Sequence, residues 1–202
     1  MTPSPLQSGR KWPVAILGAT GAVGQTFIRL LVDHPWFEVA EVAASERSEG
    51  KPYSEAARWI EGEMPSSVAG MIVQPVDPSR ISSPIAFSAL DSSVAGDVER
   101  AFAMAGKFVL SNAKNFRMEH DVPLVIPEVN ADHLQLLERQ RKERGWKGAI
   151  VTNANCAATV AATASSMWTK DHTASPAPMI ASAPPRACSA MAPSGRYHVP
   201  GP

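Results

Sequence analysis

The sequence predicts an α/β fold, a doubly wound and mainly parallel sheet. Three observations point there. Short apolar runs alternate with amphipathic stretches as far as Trp168; a glycine-spaced turn joins the first run to the first such stretch; and 202 residues at 45% hydrophobic content supply a substantial core. In chain order, Val14 to Leu17 is expected as a buried strand, followed by a helix over Val23 to Val32 with Val23, Phe27, Leu30 and Leu31 on one face. Phe37 to Ala43 is the second strand. Lys51 to Pro78 is less regular, with loops and a short helix around Ala56 to Ile60. Ile85 to Leu90 is a strand, and Val94 to Met104 the helix after it. Lys107 to Leu110, Leu124 to Ile126 and Ala149 to Val151 are further strands. Ala131 to Arg144 reads as a helix carrying Leu134, Leu137 and Arg141 at helical spacing.

Composition excludes several function classes. Nineteen Lys and Arg balance nineteen Asp and Glu, so no basic stripe argues for nucleic acid. No run of about 18 apolar residues argues for a membrane span. Met1 to Lys11 is polar, with Pro3 and Pro5; it is expected to be a flexible N-terminus, residues 1–11, and not a secretory signal. Two cysteines, Cys156 and Cys188, make neither a disulfide framework nor a metal site. The pattern stops after Trp168: residues 169–202 hold seven prolines, seven alanines and four serines with one acidic residue, Asp171. Such a stretch is expected as a disordered tail, or an arm that orders on a partner. A soluble, cytoplasmic protein with its main domain over residues 12–168 is expected.

The strongest local signal is Gly18-Ala19-Thr20-Gly21-Ala22-Val23-Gly24. Gly18 ends a buried strand and lets the chain turn. Gly21 removes a side chain where backbone must approach a pyrophosphate, and Gly24 lets the helix pack near the sheet. Thr20, Ala22 and Val23 complete the turn and the first helical N–H groups, which with the helix dipole favour an anion. The position between first strand and first helix makes this a Rossmann-like dinucleotide turn rather than a merely structural one.

The second strand ends in Ser45-Glu46-Arg47-Ser48. An acidic residue there suits the ribose 2′-hydroxyl of NAD, and an Arg the 2′-phosphate of NADP. Arg47 with Ser45 and Ser48 supplies the donors an anion needs, so NADP is favoured over NAD; the alternative is a solvated charged loop. Further on, Val151-Thr152-Asn153-Ala154-Asn155-Cys156 puts a cysteine just past a strand end with a helix-compatible run behind it. A helix N-terminus lowers a thiol pKa, which makes Cys156 a candidate nucleophile; a buried structural thiol is the other reading. Asn153 and Asn155 offer turn geometry, a cap, or a donor to a substrate. Cys188 is given no role.

These residues, together with Phe87-Ser88-Ala89-Leu90, Ser111-Asn112-Ala113 and Ile126-Pro127-Glu128-Val129-Asn130, occur in an order that resembles the N-terminal half of aspartate-β-semialdehyde dehydrogenase of the archaeal and fungal type. The resemblance covers about residues 12–166. It implies NADPH-dependent reduction of L-aspartyl phosphate to L-aspartate semialdehyde, an early step toward lysine, threonine and methionine. It implies Cys156 as the nucleophile, a cysteine thioester, and release of inorganic phosphate. Leu90 falls in the cofactor-binding set, Asn155 beside the reacting carbon, and Asn112 and Arg117 in the phosphate-binding segment. Arg suits that task because its planar fork pairs bidentately with phosphate oxygens, though a surface ion pair is an equal reading of Arg117 alone. A non-catalytic NADP-binding module is the alternative. So is an N-acetylglutamyl-phosphate reductase relative, whose Pro-Gly-Cys context is absent.

The chain departs from the family pattern in three places. Ala157 and Ala158 stand where Ser-Thr is usual, and Lys114 and Phe116 where Ser and His are usual. The family's second α+β domain, with its Gln, substrate-binding Arg, His acid/base and homo-oligomer interface, has no counterpart here. A truncated or frame-altered chain with impaired catalysis is therefore expected.

Overall fold

Trp12–Leu17 forms the first strand, β1, and its period of two sets up both layers of the core. Val14 and Ile16 enter one buried cluster and Ala15 and Leu17 the other. The structure is a computed structural model that describes residues 11–154. The tail, Asn155 and Cys156 lie outside the described residues, as does nearly all of the expected flexible N-terminus.

Seven strands form one sheet, and every recorded pairing is parallel. β2 spans Phe37–Ala44, β3 Gln74–Pro75, β4 Ile85–Ser88, β5 Phe108–Ser111, β6 Leu124–Val125 and β7 Ala149–Asn153. Their spatial order is β3-β2-β1-β4-β5-β7-β6. The winding direction reverses between β1 and β4. In open sheets of this kind, ligands bind outside the strand ends at that point. The predicted Rossmann-like, doubly wound sheet is therefore the observed one.

Helix α1 (Ala22–Leu31) lies on the Val14/Ile16 face with half of the expected residues inward: Leu31 is buried and Phe27 packs against that cluster, whereas Val23 and Leu30 face out. Gly24, Gln25, Ile28 and Leu31 are buried, while Val23 is 41% and Leu30 57% exposed. The inward face is set by Gly24, whose missing side chain permits the closest approach, and apolar periodicity alone gives it no weight. The irregular segment contains two one-turn helices, α2 (Tyr53–Ala56) and α3 (Ser66–Ala69), and the two-residue β3. The expected helix at Ala56 to Ile60 is thus displaced toward the N-terminus. Helix α4 (Ser92–Met104) starts at Asp91, whose carboxylate accepts the Ser93 N–H at 2.8 Å. It buries Ala95, Glu99, Phe102 and Ala103 on the Ala15/Leu17 face.

The expected helix over Ala131 to Arg144 is present, but it opens as a 3₁₀ turn (Ala131–Gln135) before α6 (Leu136–Arg144), and a one-turn helix, α5 (Pro127–Asn130), precedes it. Between them stands Asn130, at φ −142° and ψ 43°, whose side chain donates to the Leu124 carbonyl at 2.8 Å and accepts from the Ile126 N–H at 2.7 Å. On α6 the buried residue is Gln140, bonded to both the N–H and the carbonyl of Ile150 in β7. Beyond α1, the same face of the sheet carries an apolar hollow of about 380 Å³ among Phe27, Phe87, Leu110, Val125 and Val151. Among the described residues no helix is long and apolar enough to cross a membrane.

A Cβ built on Gly24 falls 2.3 Å from the Gly18 carbonyl oxygen and 2.8 Å from Ala19 Cα, both backbone atoms. Gly24→Ala is expected to destabilise the fold by about 1–3 kcal/mol, reversing the usual gain from Gly→Ala inside a helix. At Gly21 the nearest atom is 3.4 Å away. Urea unfolding of the two variants should separate them, with Gly21→Ala near wild type.

Candidate functional site

The glycine turn sits at the reversal of winding. Gly18, at φ +76°, has its N–H and that of Ala19 bonded to the Ala43 carbonyl at 2.9 and 3.0 Å, tying the turn to the end of β2. A Cβ on Gly18 would lie 2.8 Å from the Ala89 carbonyl oxygen, so the turn is also pressed against the chain leaving β4. Gly18 is thus required twice, for its left-handed backbone and for this contact. Gly21, Ala22 and Val23 are exposed, and the N–H groups of Ala22, Val23 and Gly24 have no backbone partner among the described residues. Exposed donors at the positive end of α1, with no acidic residue in its first turn, form an anion cradle.

Two residues that sequence reasoning missed hold this turn. Gln25 is 2% exposed; its Nε2 donates to the Thr20 and Arg58 carbonyls, each at 3.0 Å, and its Oε1 accepts the Ile60 N–H at 2.8 Å. Tyr53, fully buried, donates its hydroxyl to the Ala19 carbonyl at 2.7 Å, and burial pushes that phenol far above its usual range. Every polar group on these two side chains that reaches the turn is satisfied by backbone. The turn therefore keeps its shape without a ligand.

Ser45 to Ser48 form a tight turn after β2, closed by the Ser48 N–H to the Ser45 carbonyl at 2.8 Å. Ser45, Glu46 and Arg47 are exposed and line a cleft of about 530 Å³ whose other wall is Leu90 with Val94 and Val98 of α4. Three of the predicted cofactor residues, Ser45, Arg47 and Leu90, thus share one cleft. Ser48 closes the turn beside it and does not line it.

A second cluster lies at the ends of β5 and β7. Arg117 donates through Nη2 to the Asn112 carbonyl at 2.7 Å and to Asn153 Oδ1 at 3.3 Å, and Asn153 Nδ2 donates to Asn112 Oδ1 at 2.8 Å. The Arg117 Nε–H is buried without a partner among the described residues. Asn112 and Arg117, five residues apart in sequence, are brought together. Asn153 joins them from β7, and three residues after it the sequence reaches Cys156. The loop that carries Arg117 is anchored by Phe116, buried edge-on against Trp146, with the Arg144 guanidinium over both rings. Arg144 also pairs with Asp121 and, at 3.1 Å, with Glu119, and holds the Asp121 carboxyl below its usual range.

Behind this cluster is a buried carboxyl that the sequence reading did not single out. Glu99 of α4 is fully buried, its Oε1 accepting the Ser111 hydroxyl at 2.8 Å. Burial pushes its pKa up; the nearby Ser88 and Ser111 hydroxyls oppose that shift. Neither Ser88 Oγ nor Glu99 Oε2 makes a well-formed hydrogen bond.

The family profile for "Semialdehyde dehydrogenase, NAD binding domain" matches residues 13–137. The chain belongs to the semialdehyde dehydrogenase family. It is 52% identical over 147 residues to an aspartate-semialdehyde dehydrogenase of Archaeoglobus fulgidus, covering 72% of this chain and 43% of that protein. It is 45% identical over 155 residues to a malonyl CoA reductase (NADP) of Metallosphaera sedula, covering 76% of this chain and 43% of that one. Among solved structures it is similar to the aspartate semialdehyde dehydrogenase of Candida albicans crystallised with NADP. The TM-score is 0.68 at 42% identity, over 73% of this chain and 44% of that chain. The chain spans less than half the length of each of these proteins. In this semialdehyde dehydrogenase domain, the glycine turn and its two braces lie at the end of β1, and Asn112, Arg117 and Asn153 at the ends of β5 and β7, along one row of strand termini.

Because the folded state holds the Glu99 proton more tightly than the unfolded chain does, Glu99 contributes most to stability below the unfolded glutamate pKa of about 4.3. That contribution falls as the pH rises from there through the raised folded value. Glu99→Gln keeps the acceptor for Ser111 and removes the charge. It is expected to melt higher than wild type at pH 8, with the difference closing as the pH drops toward 4, in thermal melts across that range.

Proposed function

We propose that this chain is the nucleotide-binding and nucleophile-bearing part of an NADP-dependent aspartate-semialdehyde dehydrogenase. The observation that carries the reading is Arg117. Its Nη2 is held by the Asn112 carbonyl and by Asn153, three residues before Cys156 in sequence, while its Nη1 makes no hydrogen bond among the described residues. An oxyanion meeting the Nη1 side finds a planar cationic donor already oriented by its neighbours, and a phosphate is the dianion such a group binds best.

The turn and cleft fit NADP: free N–H groups at α1 for the pyrophosphate, and Arg47 with Ser45 for the 2′-phosphate, beside Leu90, with Ser48 closing the turn that carries them. When bound, NADPH supplies the hydride that reduces the acyl group. The chain's own residues do the rest. Arg117 and Asn112 bind the phosphate of L-aspartyl phosphate and orient its acyl carbon. Cys156 Sγ, as thiolate, attacks that carbon; a C–S bond forms, the C–O bond to phosphate breaks, and the electron pair leaves with inorganic phosphate. Arg117 stabilises the leaving dianion. After reduction the C–S bond breaks and the thiolate is regenerated. Asn155 lies next to the nucleophile in sequence and fits a donor to the substrate. The reading carries with it a soluble, cytoplasmic enzyme acting on a small acyl phosphate, in the route to lysine, threonine and methionine.

A second reading is favoured by the likeness to the malonyl CoA reductase. In it the same thiolate attacks a coenzyme A thioester, and a thiolate leaves in place of phosphate. Arg117 is then not needed for the leaving group.

Two measurements test these readings. NADP at about 100 times its dissociation constant is expected to add about 2.7 kcal/mol to the stability of the chain, with a smaller gain from NAD. Arg47→Ala should make the two cofactors equivalent; equal gains in the wild type would remove the NADP assignment. Incubation with L-aspartyl phosphate should add one aspartyl group to the intact chain by mass spectrometry, with one equivalent of phosphate released. Cys156→Ser should abolish both. Labelling by malonyl-CoA alone would establish the second reading instead, and NADP binding with no labelling by either would leave a non-catalytic module.

A further inference from the structure

Glu99 is a charged side chain that nothing in the proposed chemistry uses, buried at the one place where α4 meets the ends of β4 and β5. Its contacts run in one direction. Glu99 Oε1 accepts the Ser111 hydroxyl at 2.8 Å, and Ser111 Oγ in turn accepts the Ala113 N–H at 3.1 Å. Ala113 is 6% exposed and follows Asn112 directly. The Asn112 N–H is fixed separately by the Ser88 carbonyl at 3.0 Å, so both amides at the start of the loop are bonded to residues around the Glu99 carboxyl. A serine hydroxyl left to itself rotates freely. Only when its proton is committed to an acceptor does its lone pair point in one direction. Glu99 is the acceptor that commits it.

We propose that Glu99 is a positioning residue for the Asn112–Arg117 loop: by fixing the Ser111 hydroxyl it fixes the Ala113 amide, and so the placement of Asn112 and Arg117 for phosphate. The proposal rests on the reading of that loop as a phosphate site. Glu99 is 12 residues before Ser111 in sequence and reaches it only because the α4 crossover returns the chain to β5 beside β4. An apolar residue at position 99 would pack the same helix face, and it would leave Ser111 without its acceptor. A carboxyl in that place therefore does something that packing does not supply.

The test uses the full chain, with inorganic phosphate as the probe and the NADP-induced thermal shift as a check that the fold is intact. Glu99→Ala and Ser111→Ala are each expected to weaken phosphate binding by about tenfold, the equivalent of losing one hydrogen bond in a buried network. Both should speed hydrogen exchange at Ala113 while leaving the amides of Gly18 to Gly24 unchanged. Glu99→Gln, which keeps the acceptor oxygen, should restore both properties to within about twofold of wild type. The double variant Glu99→Ala/Ser111→Ala should be no worse than either single one, because both act through the same contact. If Glu99→Ala does not fold, Ser111→Ala and Glu99→Gln still decide the matter. Unchanged exchange at Ala113 in Ser111→Ala, or a Glu99→Gln variant as impaired as Ser111→Ala, overturns the proposal. Wild type that fails to bind phosphate overturns the phosphate reading of the loop alone, because the exchange at Ala113 reports on Glu99 without any ligand.

Discussion

The close approach of α1 to the end of β1 is the constraint on which the nucleotide end depends. The Gly18 carbonyl lies where a side chain on residue 24 would sit, so the helix axis is drawn down onto the turn. That brings the free N–H groups of the first helical turn to the level of the strand termini. Any residue larger than glycine at position 24 pushes the helix outward, and the cradle opens. Gly18 bears the second half of the constraint, since its contact with the Ala89 carbonyl fixes the turn against β4 at the reversal of winding. Two separate close approaches, one along the chain and one across the sheet, thus define where an anion can rest. Gln25 and Tyr53 add directional bonds to the same few carbonyls, so the turn is shaped by the fold and not by its ligand.

Much of this was legible because it is local. Three glycines at fixed spacing between an apolar run and a helical stretch encode turn, approach and packing within seven residues. Six of the seven strands were legible as apolar runs, each within a few residues of its observed ends; the two-residue β3 was not. The misreadings share a physical cause, which is that the deciding partner is distant. Gln25 looks like a surface residue until residues 58 and 60 fold over it. The inward face of α1 differs from the expected one at Val23 and Leu30, because a glycine, not an apolar side chain, marks the part nearest the sheet. The separation of α5 from the 3₁₀ turn goes with the Asn130 side chain, which bonds the backbone of residues 124 and 126. Glu99 was the exception. It falls on the stripe Ala95, Glu99, Phe102, Ala103, so a carboxylate at a core position of a predicted helix was a signal available in the sequence.

The two ends of the site are built by different means, and the difference bears on specificity. The nucleotide end is mainly backbone: carbonyls and N–H groups held by glycine geometry, which suits a pyrophosphate and discriminates little among what is attached to it. Discrimination there falls to the side chains of the exposed Ser45–Ser48 turn, where Arg47 stands beside Glu46 in the same cleft wall. The Asn112–Arg117–Asn153 cluster is mainly side chain. Arg117 donates to the Asn112 carbonyl and to Asn153, and Asn153 donates to the Asn112 side chain, so loss of Arg117 leaves two acceptors unmet and loss of the Asn112 side chain leaves the Asn153 donor unmet.

On the reading proposed above, the same difference separates two chemistries. A thiolate can accept an acyl group from an acyl phosphate or from a coenzyme A thioester, and a nicotinamide can supply the hydride in either case, so the two differ in the leaving group, phosphate or thiolate. Of the residues proposed for the site, Asn112, Arg117 and Asn153 are the ones offered to that group. A guanidinium oriented by two neighbours is poorly matched to a departing thiolate, a soft and weak acceptor, and well matched to phosphate oxygens, which are hard and anionic. On that reading Arg117 is the residue that separates the two chemistries, in favour of phosphate.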